Sequence, residues 1–556
     1  MSFADSSAGL EPFDLLAGSD NETDQLGIPV MTHDAEDGSP YRSTRSTDVD
    51  DSDFRPRRVV RFVIESRYAV VRAACKGQFR WAECDLSQEF DFIWTDVCMS
   101  ADRFSKLKPN QRYNHFAGMN SLTRKNNLGR NLLRMKKFFK AEYSFFPDTW
   151  ILPIDLSDFK IQARKNRTYI VKPDNSCQGK GIFLTQNVES VAVSFDQGLV
   201  AQVYINRPFL LDGFKFDLRI YVLVSGCDPL RIYVHKEGLV RLCCTPWAGS
   251  ADGSNIGDST MHLTNYAINV KSASFRENAD PDDIHDGHKR SMSRLFVYLE
   301  EQGHDVAVLT GKIDDLIVKT LIAVQPSVAH VNFSCQPEDI RNEQSFEILG
   351  FDVLLDHKLT PWLLEVNHAP SFGTDSELDR RVKLQVLEDS FKLLQISRRQ
   401  RRWFKVNAKE DQSVKERAEV RFRKAVELAK ARDALETRFG GFRKLYPSPA
   451  AEVKYRPFHD KAIEIWETLT GGQSRRPVRL YERTDEQIIV KKPDDISSQG
   501  GTPKRRVVIK KMKTILPVWR RKVSPPVQLL APLSTFTLDI FLQGLPHAKN
   551  TSYSNM

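Results

Sequence analysis

Residues 346–370, Phe-Glu-Ile-Leu-Gly-Phe-Asp-Val-Leu-Leu-Asp-His-Lys-Leu-Thr-Pro-Trp-Leu-Leu-Glu-Val-Asn-His-Ala-Pro, constrain the fold of this chain more than any other stretch. Two apolar runs, roughly 348–355 and 361–367, flank a polar turn and so predict a β-hairpin. A turn centred between Lys358 and Leu359 sets Asp352 across from Glu365. Side chains alternate along a strand, so Glu365 and Asn367 share a face, while Trp362, Leu364 and Val366 point into a core. Two carboxylates and an amide oxygen then converge. Hard oxygen donors without Cys or His suit Mg²⁺, which takes a few protein oxygens beside nucleotide phosphates. The alternative is a hairpin whose solvent face is simply acidic.

The length, 556 residues, allows two or three domains. Lys plus Arg number 81 against 72 Asp plus Glu, an excess of 9 that is unevenly placed. The eight cysteines form no CxxC pair and no metal spacing, which predicts reduced thiols in the cytosol. Residues 1–26 lack a basic segment followed by an apolar one, so no signal peptide is expected. No apolar run reaches the roughly 20 residues of a membrane helix, so a soluble intracellular protein without a membrane partner is expected.

Residues 1–53 carry thirteen acids and only Arg42 and Arg45, a net of −11. Such a segment buries too little apolar surface to offset chain entropy, and 1–56 is read as a disordered acidic segment. A small α/β unit follows over 57–120, with strands at 59–64 and 90–95 and a helix from Tyr68. Residues 126–139 read as an amphipathic helix with a basic face.

Strand 168–173, the turn Asp174-Asn175-Ser176-Cys177-Gln178-Gly179-Lys180-Gly181 and strand 182–184 predict a glycine-rich lid that can lay amides and Lys180 on phosphates. Commonplace surface hairpins share this composition, and no Gly-Lys-Ser/Thr opens a helix as a Walker loop requires. Strand 199–205 runs into a hinge at Asn206-Arg207-Pro208. Then Phe214, Phe216, Leu218, Ile220 and Val222 take one face of a strand and leave Lys215, Asp217 and Arg219 together on the other. That charged row suits ribose and phosphate, or plain solvation. Residues 230–244 predict a further hairpin turning at Lys236-Glu237-Gly238 and presenting Arg241.

Several ordered motifs now carry a resemblance: Asn114-His115-Phe116-Ala117-Gly118-Met119, residues 124–131 (RKNNLGRN), Ile170-Val171-Lys172-Pro173, Gln178-Gly179-Lys180-Gly181-Ile182, residues 212–219 (DGFKFDLR), His262-Leu263-Thr264-Asn265-Tyr266 and Leu364-Glu365-Val366-Asn367-His368. Together they resemble the tubulin tyrosine ligase-like family, most closely its polyglutamylase branch. The resemblance implies an α+β, ATP-grasp core over 57–395, with N-terminal, central and C-terminal subdomains. It implies an ATP- and Mg²⁺-dependent ligase that joins free L-glutamate to glutamate side chains of tubulin tails.

Carried over by position, Lys172, Lys180 and Gly181 would hold phosphates, and Gln202, Val203, Tyr204 and Ile205 the adenine. Gln178, Lys215 and Asp217 would contact the nucleotide, and Thr264 and Asn265 its phosphate end. Asp352, Glu365 and Asn367 would bind Mg²⁺. Arg241, Tyr266, Lys271 and Lys383 would receive glutamate, although Val270 stands where several relatives have lysine. Lys172, Lys180 and Arg219 would neutralise charge on the transferred phosphoryl group. Gln178 on the lid and His368 after the metal strand are expected to flank the acceptor without fixed positive charge, which suits extending an existing glutamate chain over starting a branch.

Residues 398–444 hold sixteen Lys or Arg against seven acids. Ser413 with Glu416 reads as a capping box, Gly440-Gly441 as a stop, and Val414, Ala418, Phe422, Ala425 and Ala429 as a narrow apolar stripe. The segment 396–446 is therefore read as a basic helical extension, either packed on the core or docking on an acidic polymer, which the family's microtubule-binding extension explains. Residues 447–556 are read as a largely disordered basic tail, with nine basic residues and no acids over 504–522. No RNA module or zinc finger is found, so nucleic acid is not expected. A monomer in the cytoplasm, on the cytoskeleton and at the cilium or basal body is the resulting expectation. A glycine or tyrosine ligase and a non-catalytic microtubule-binding relative are the alternatives.

Overall fold

The computed structural model describes residues 59–163, 167–176, 178–194, 198–339, 341–396, 414–435, 440–472, 477–478 and 480–481. The expectations for 1–56, for Ser413 and for 504–522 lie outside the described residues.

Three sheets organise the rest. The first is parallel, in the order β2 (Ala82–Glu83), β1 (Arg61–Glu65), β3 (Phe92–Thr95), β4 (Arg112–Tyr113). After β1 the helix Ala69–Lys76 lays Val70, Val71, Ala74 and Cys75 against a core, the crossover that parallel strands require. The second sheet is antiparallel and small: β5 (Thr149–Leu152), β8 (Leu199–Val203), β6 (Tyr169–Pro173), β7 (Phe183–Thr185). Its own core gathers Trp150, Phe159, Tyr169, Val171 and Ala201.

The third sheet has seven strands and bears the site. Along it run β12 (Lys289–Ser291), β11 (Leu230–Leu242), β10 (Phe214–Cys227), β13 (Glu347–Leu355) and β14 (Pro361–Asn367). Short β9 (Leu210–Leu211) pairs β10, and β15 (Phe442–Tyr446) pairs β11. One face of β10 sends Phe216, Leu218, Ile220, Val222 and Val224 into the largest core, shared with the thirty-residue helix Val306–Cys335. The opposite face is apolar only at Tyr221 and Leu223, where the helix Glu377–Leu394 covers it. Towards the start of β10 that second face turns polar at Lys215, Asp217 and Arg219. The period-two reading of this strand therefore holds, and the uncovered half of the face is where a cleft opens.

The central hairpin forms in the expected register, with Asp352 opposite Glu365. One detail needs correction. A register shift after Asp352 pairs Val353 with Leu363, so Leu363 enters the core and Trp362 and Leu364 stay half-buried; of the three residues assigned inward, only Val366 is buried.

The hairpin expected at 236–238 is not there. β11 runs straight through, and the chain reverses instead at Asp228-Pro229, where Cys227 pairs Leu230. Ile220 faces Gly238 and Val222 faces Val234, so residues 235–237 bulge. Gly238 serves close approach, since a Cβ there would lie 2.5 Å from the Arg219 carbonyl oxygen.

Two further corrections concern the extension. Its helix, Val414–Leu435, is followed by strand β15, so 396–446 is not helical throughout. Beyond 447 the expected largely disordered tail begins with a 22-residue helix, Pro449–Thr470. Ser448 caps it through the Ala451 amide (3.1 Å), and Tyr455, Phe458 and Ala462 join the largest core. Their spacing is helical and was legible; Pro457 within the run masks it.

Candidate active site

A cleft of about 340 Å³ opens between the small antiparallel sheet and the polar part of the central sheet. From the small sheet come Lys172 on β6 and Gln202 and Val203 on β8, followed by Tyr204 and Ile205. From the central sheet come Lys215 and Asp217 on β10, Arg241 on β11, Asp352 on β13, and Glu365 and Asn367 on β14. Gln178, Thr264, Asn265 and His368 complete the expected residues that line it.

The two lysines are buried and strongly held. Lys172 Nζ donates to Gln202 Oε1 (2.8 Å), and Gln202 in turn donates to Thr149 Oγ1 (2.9 Å). Lys215 Nζ donates to the Tyr204 hydroxyl (2.8 Å) and the His262 carbonyl (2.6 Å), beside the Tyr204 ring. Burial pushes each ammonium down to about 8, outweighing nearby carboxylates, Glu365 for Lys172 and Asp217 for Lys215. Buried cations with few acidic partners favour an incoming polyanion.

Opposite them lies a chain of buried ion pairs. Arg241 grips Asp217 with two bonds (2.8 and 2.5 Å) and reaches Asp352 at 2.9 Å. Arg219 takes the other side of Asp352 with two bonds (2.6 and 3.0 Å). Burial alone would raise the Asp352 carboxyl, but the two guanidiniums prevail and hold it well below the usual carboxylate range. Thr264 Oγ1 donates to Asp217 at 2.7 Å. Arg219 itself stands behind Asp352 and does not line the cleft.

The oxygens fit a hard cation. Asn367 Nδ2 lies 3.3 Å from Asp352 and 3.4 Å from Glu365, long for amide bonds. Turned over, the amide presents its oxygen to the same point. Glu365 is the least committed of the three, its other oxygen 3.6 Å from Lys125 Nζ. Two carboxylates and one amide are a Mg²⁺-type donor set; no group of three His, Cys, Asp or Glu suited to a metal occurs among the described residues.

Other expected residues fall elsewhere. Strands β6 and β7 do form the lid hairpin, and Gln178 and Gly179 line the cleft, but Lys180 and Gly181 are exposed outside it. A Cβ on Gly179 would meet Ile268 at 2.5 Å, so the lid tip packs tightly there. Tyr266, Lys271 and Lys383 do not line the cleft. Lys271 is exposed, whereas Lys383 is buried against Asp379 (2.5 Å), which also pairs Lys289 stacked on the Tyr266 ring at 4.0 Å. Burial keeps the imidazole of His368 below its ordinary value.

Sequence reasoning missed Arg124 and Lys125, which line the cleft where the helix Lys125–Phe138 begins. A signal existed: that helix opens on cations and has no acid in its first turn, against the preference of the helix dipole. Lys125 Nζ donates to the Ser176 carbonyl (2.9 Å), tying the helix start to the lid.

Residues 104–402, more than half of the chain, match the family model described as tubulin-tyrosine ligase family. The chain belongs to that family. A probable beta-tubulin polyglutamylase from Tetrahymena thermophila is 40% identical over 76% of this chain and 36% of its own length. Tubulin polyglutamylase TTLL6 from Homo sapiens is 37% identical over 88% of this chain and 56% of its own. Its Danio rerio counterpart is 40% identical over 74% and 53%. The chain thus spans between a third and three fifths of the curated relatives it matches.

Proposed function

We propose that this protein is an ATP- and Mg²⁺-dependent ligase that adds glutamate, through isopeptide bonds, to glutamate side chains of tubulin C-terminal tails. The observation that carries the reading is one cleft in which two buried lysines face a convergent pair of carboxylates. The names of the relatives, tubulin polyglutamylases, support the choice of substrate. We read the three sheets as the subdomains of an ATP-grasp core, with the cleft between the second and third as its nucleotide site.

Lys172 and Lys215 hold phosphate oxygens, Gln202 to Ile205 face the adenine, and Asp352, Glu365 and Asn367 hold Mg²⁺. When bound, Mg²⁺ screens charge on the phosphates and orients them. The acceptor carboxylate attacks the γ-phosphorus, ADP leaves, and an acyl phosphate results. The amine of free glutamate then displaces phosphate and loses a proton as the amide forms. Preorganised cations at the transferred group contribute several kcal/mol in such sites.

Elongation is the step we favour. Gln178 and a neutral His368 flank the acceptor position without adding fixed positive charge, which suits an existing glutamate branch. Mass spectrometry of tubulin tails after incubation with ATP, Mg²⁺ and mixed amino acids tests the reading. Glutamate branches are expected, growing faster on peptides that already carry one; incorporation of glycine or tyrosine instead would replace it.

A further inference from the structure

Beside the cleft lies a second depression that the reaction does not use. A groove of about 570 Å³ runs between the helix Lys125–Phe138 and the pair formed by β5 and the helix Leu156–Gln162. Its carboxylates are already engaged. Asp148 accepts from Lys136 (3.0 Å), Asp155 from the Ile151 amide (2.8 Å) and Asp158 from Trp150 Nε1 (2.8 Å). Arg130, Arg134, Lys137 and Lys140, by contrast, have no carboxylate partner among the described residues. Arg130 and Arg134 are half-buried and stand four residues apart on one helical face, where like charges repel. Burial and the Arg130 charge together lower the Arg134 guanidinium from its ordinary value.

The floor is apolar as well as the wall basic. Leu133 is half-buried and Ile154 is 72% exposed within the groove. Single-stranded nucleic acid is held by open aromatic faces as well as by basic groups, and a duplex binds through its phosphates and makes no use of an apolar floor. The one aromatic ring in the groove, Trp150, is only 7% exposed and packs on Phe159 at 5.1 Å. An extended polypeptide carrying acids with interspersed apolar residues fits both features.

The two depressions share their framework. The helix that walls the groove starts inside the cleft at Arg124 and Lys125, and Pro147 lines the cleft where Asp148 lines the groove. From Lys125 to Arg134 is about 14 Å along the helix axis. An extended chain covers that in about four residues.

We propose that this groove is an exosite for the acidic acceptor polypeptide, binding residues about four or more away from the glutamate being modified. The groove's preference for acidic polypeptide stands on its own residues; its assignment to the acceptor rests on the reading of the cleft given above.

Fluorescence anisotropy with the full chain tests binding without requiring turnover. Two Glu-rich peptides serve as probes, one of about five residues and one of about fifteen. The triple variant Arg130→Gln/Arg134→Gln/Lys137→Gln is expected to weaken the long peptide about tenfold, and more at low salt, while leaving the short one unchanged. Its melting temperature should hold, since a repulsive pair is relieved. Ile154→Glu, at an exposed position, should weaken the long peptide independently. In turnover the same variants should raise KM for the long peptide and spare kcat. Equal affinity of wild type and variants for the long peptide would overturn the exosite. So would inorganic polyphosphate competing as well as the peptide, which would make the groove a general polyanion surface. Preserved peptide binding without any ligation would refute the cleft reading and leave the groove's specificity standing.

Discussion

Glu365 and Asp352 face each other across one strand pair, yet their surroundings differ. Asp352 is buried between two guanidiniums, whereas the polar partners of Glu365 among the described residues, Lys125 and Asn367, stand off at 3.6 and 3.4 Å. Replacing Glu365 by Gln keeps the size, removes a charge and breaks no strong bond. The variant is expected to fold normally, by circular dichroism and melting temperature, and to lose ligation; substantial turnover would dismiss Glu365 as a metal ligand. The two lysines give a pH signature. Lys172 and Lys215 lose protons near 8 in the fold but near 10.5 when unfolded. Between those values the unfolded chain holds more protons, so stability of the nucleotide-free protein should rise with pH there. A bound polyphosphate should keep both amines charged and shrink that gain. Thermal unfolding across this window, with and without a non-hydrolysable ATP analogue, checks it; a gain that the analogue leaves intact would mean that neither lysine meets phosphate.

Among elements, the basic helix Val414–Leu435 is packed on the core at one end. Its last turns are anchored: Ala429 is buried with Val478 and Leu480, and Arg432 donates to the carbonyls of Ser225 (2.9 Å) and Asn342 (3.1 Å). Arg423 is exposed and Lys424 half-buried earlier on the helix. Reversing both to Glu is expected to leave the melting temperature near that of the wild type and to weaken co-sedimentation with microtubules. Wild-type co-sedimentation should also fall as salt rises, since exposed charges are screened within about 8–10 Å at physiological ionic strength. Co-sedimentation insensitive to both changes would assign the helix a purely structural role.

Across the whole molecule, the helix Pro449–Thr470 closes the main core from outside the family-matched region. Tyr455 donates to Asp315 (2.9 Å), which pairs the buried Lys319 (2.5 Å), and Phe458 lies 5.1 Å from the Lys319 ammonium. Ending the chain at 447 would expose the surface under Tyr455 and Phe458, worth about 3–6 kcal/mol for the two side chains. That is a large share of the roughly 5–15 kcal/mol of a typical domain. The truncated protein is therefore expected to be insoluble or to melt far below the intact one, and an unchanged melting temperature would refute the helix's place in the core.

Local pattern determined much of this protein by itself. Period-two alternation put Lys215, Asp217 and Arg219 on one face of β10, and the two-strand pattern at 346–370 set Asp352 against Glu365, because strand geometry leaves side chains only two directions. Local pattern could not tell a bulge from a turn. Gly238 reads as a reversal, but its lack of a Cβ answers the Arg219 carbonyl on the neighbouring strand, a contact between residues distant in the chain. Nor could it foresee that Arg241 would be committed to Asp217 and Asp352, or that Lys383 would be shared with Asp379 outside the cleft. Sequence supplies the type and spacing of charges. Which charges meet one another, and which remain for a ligand, depends on desolvation and distance, and those exist only once the sheets and helices have packed.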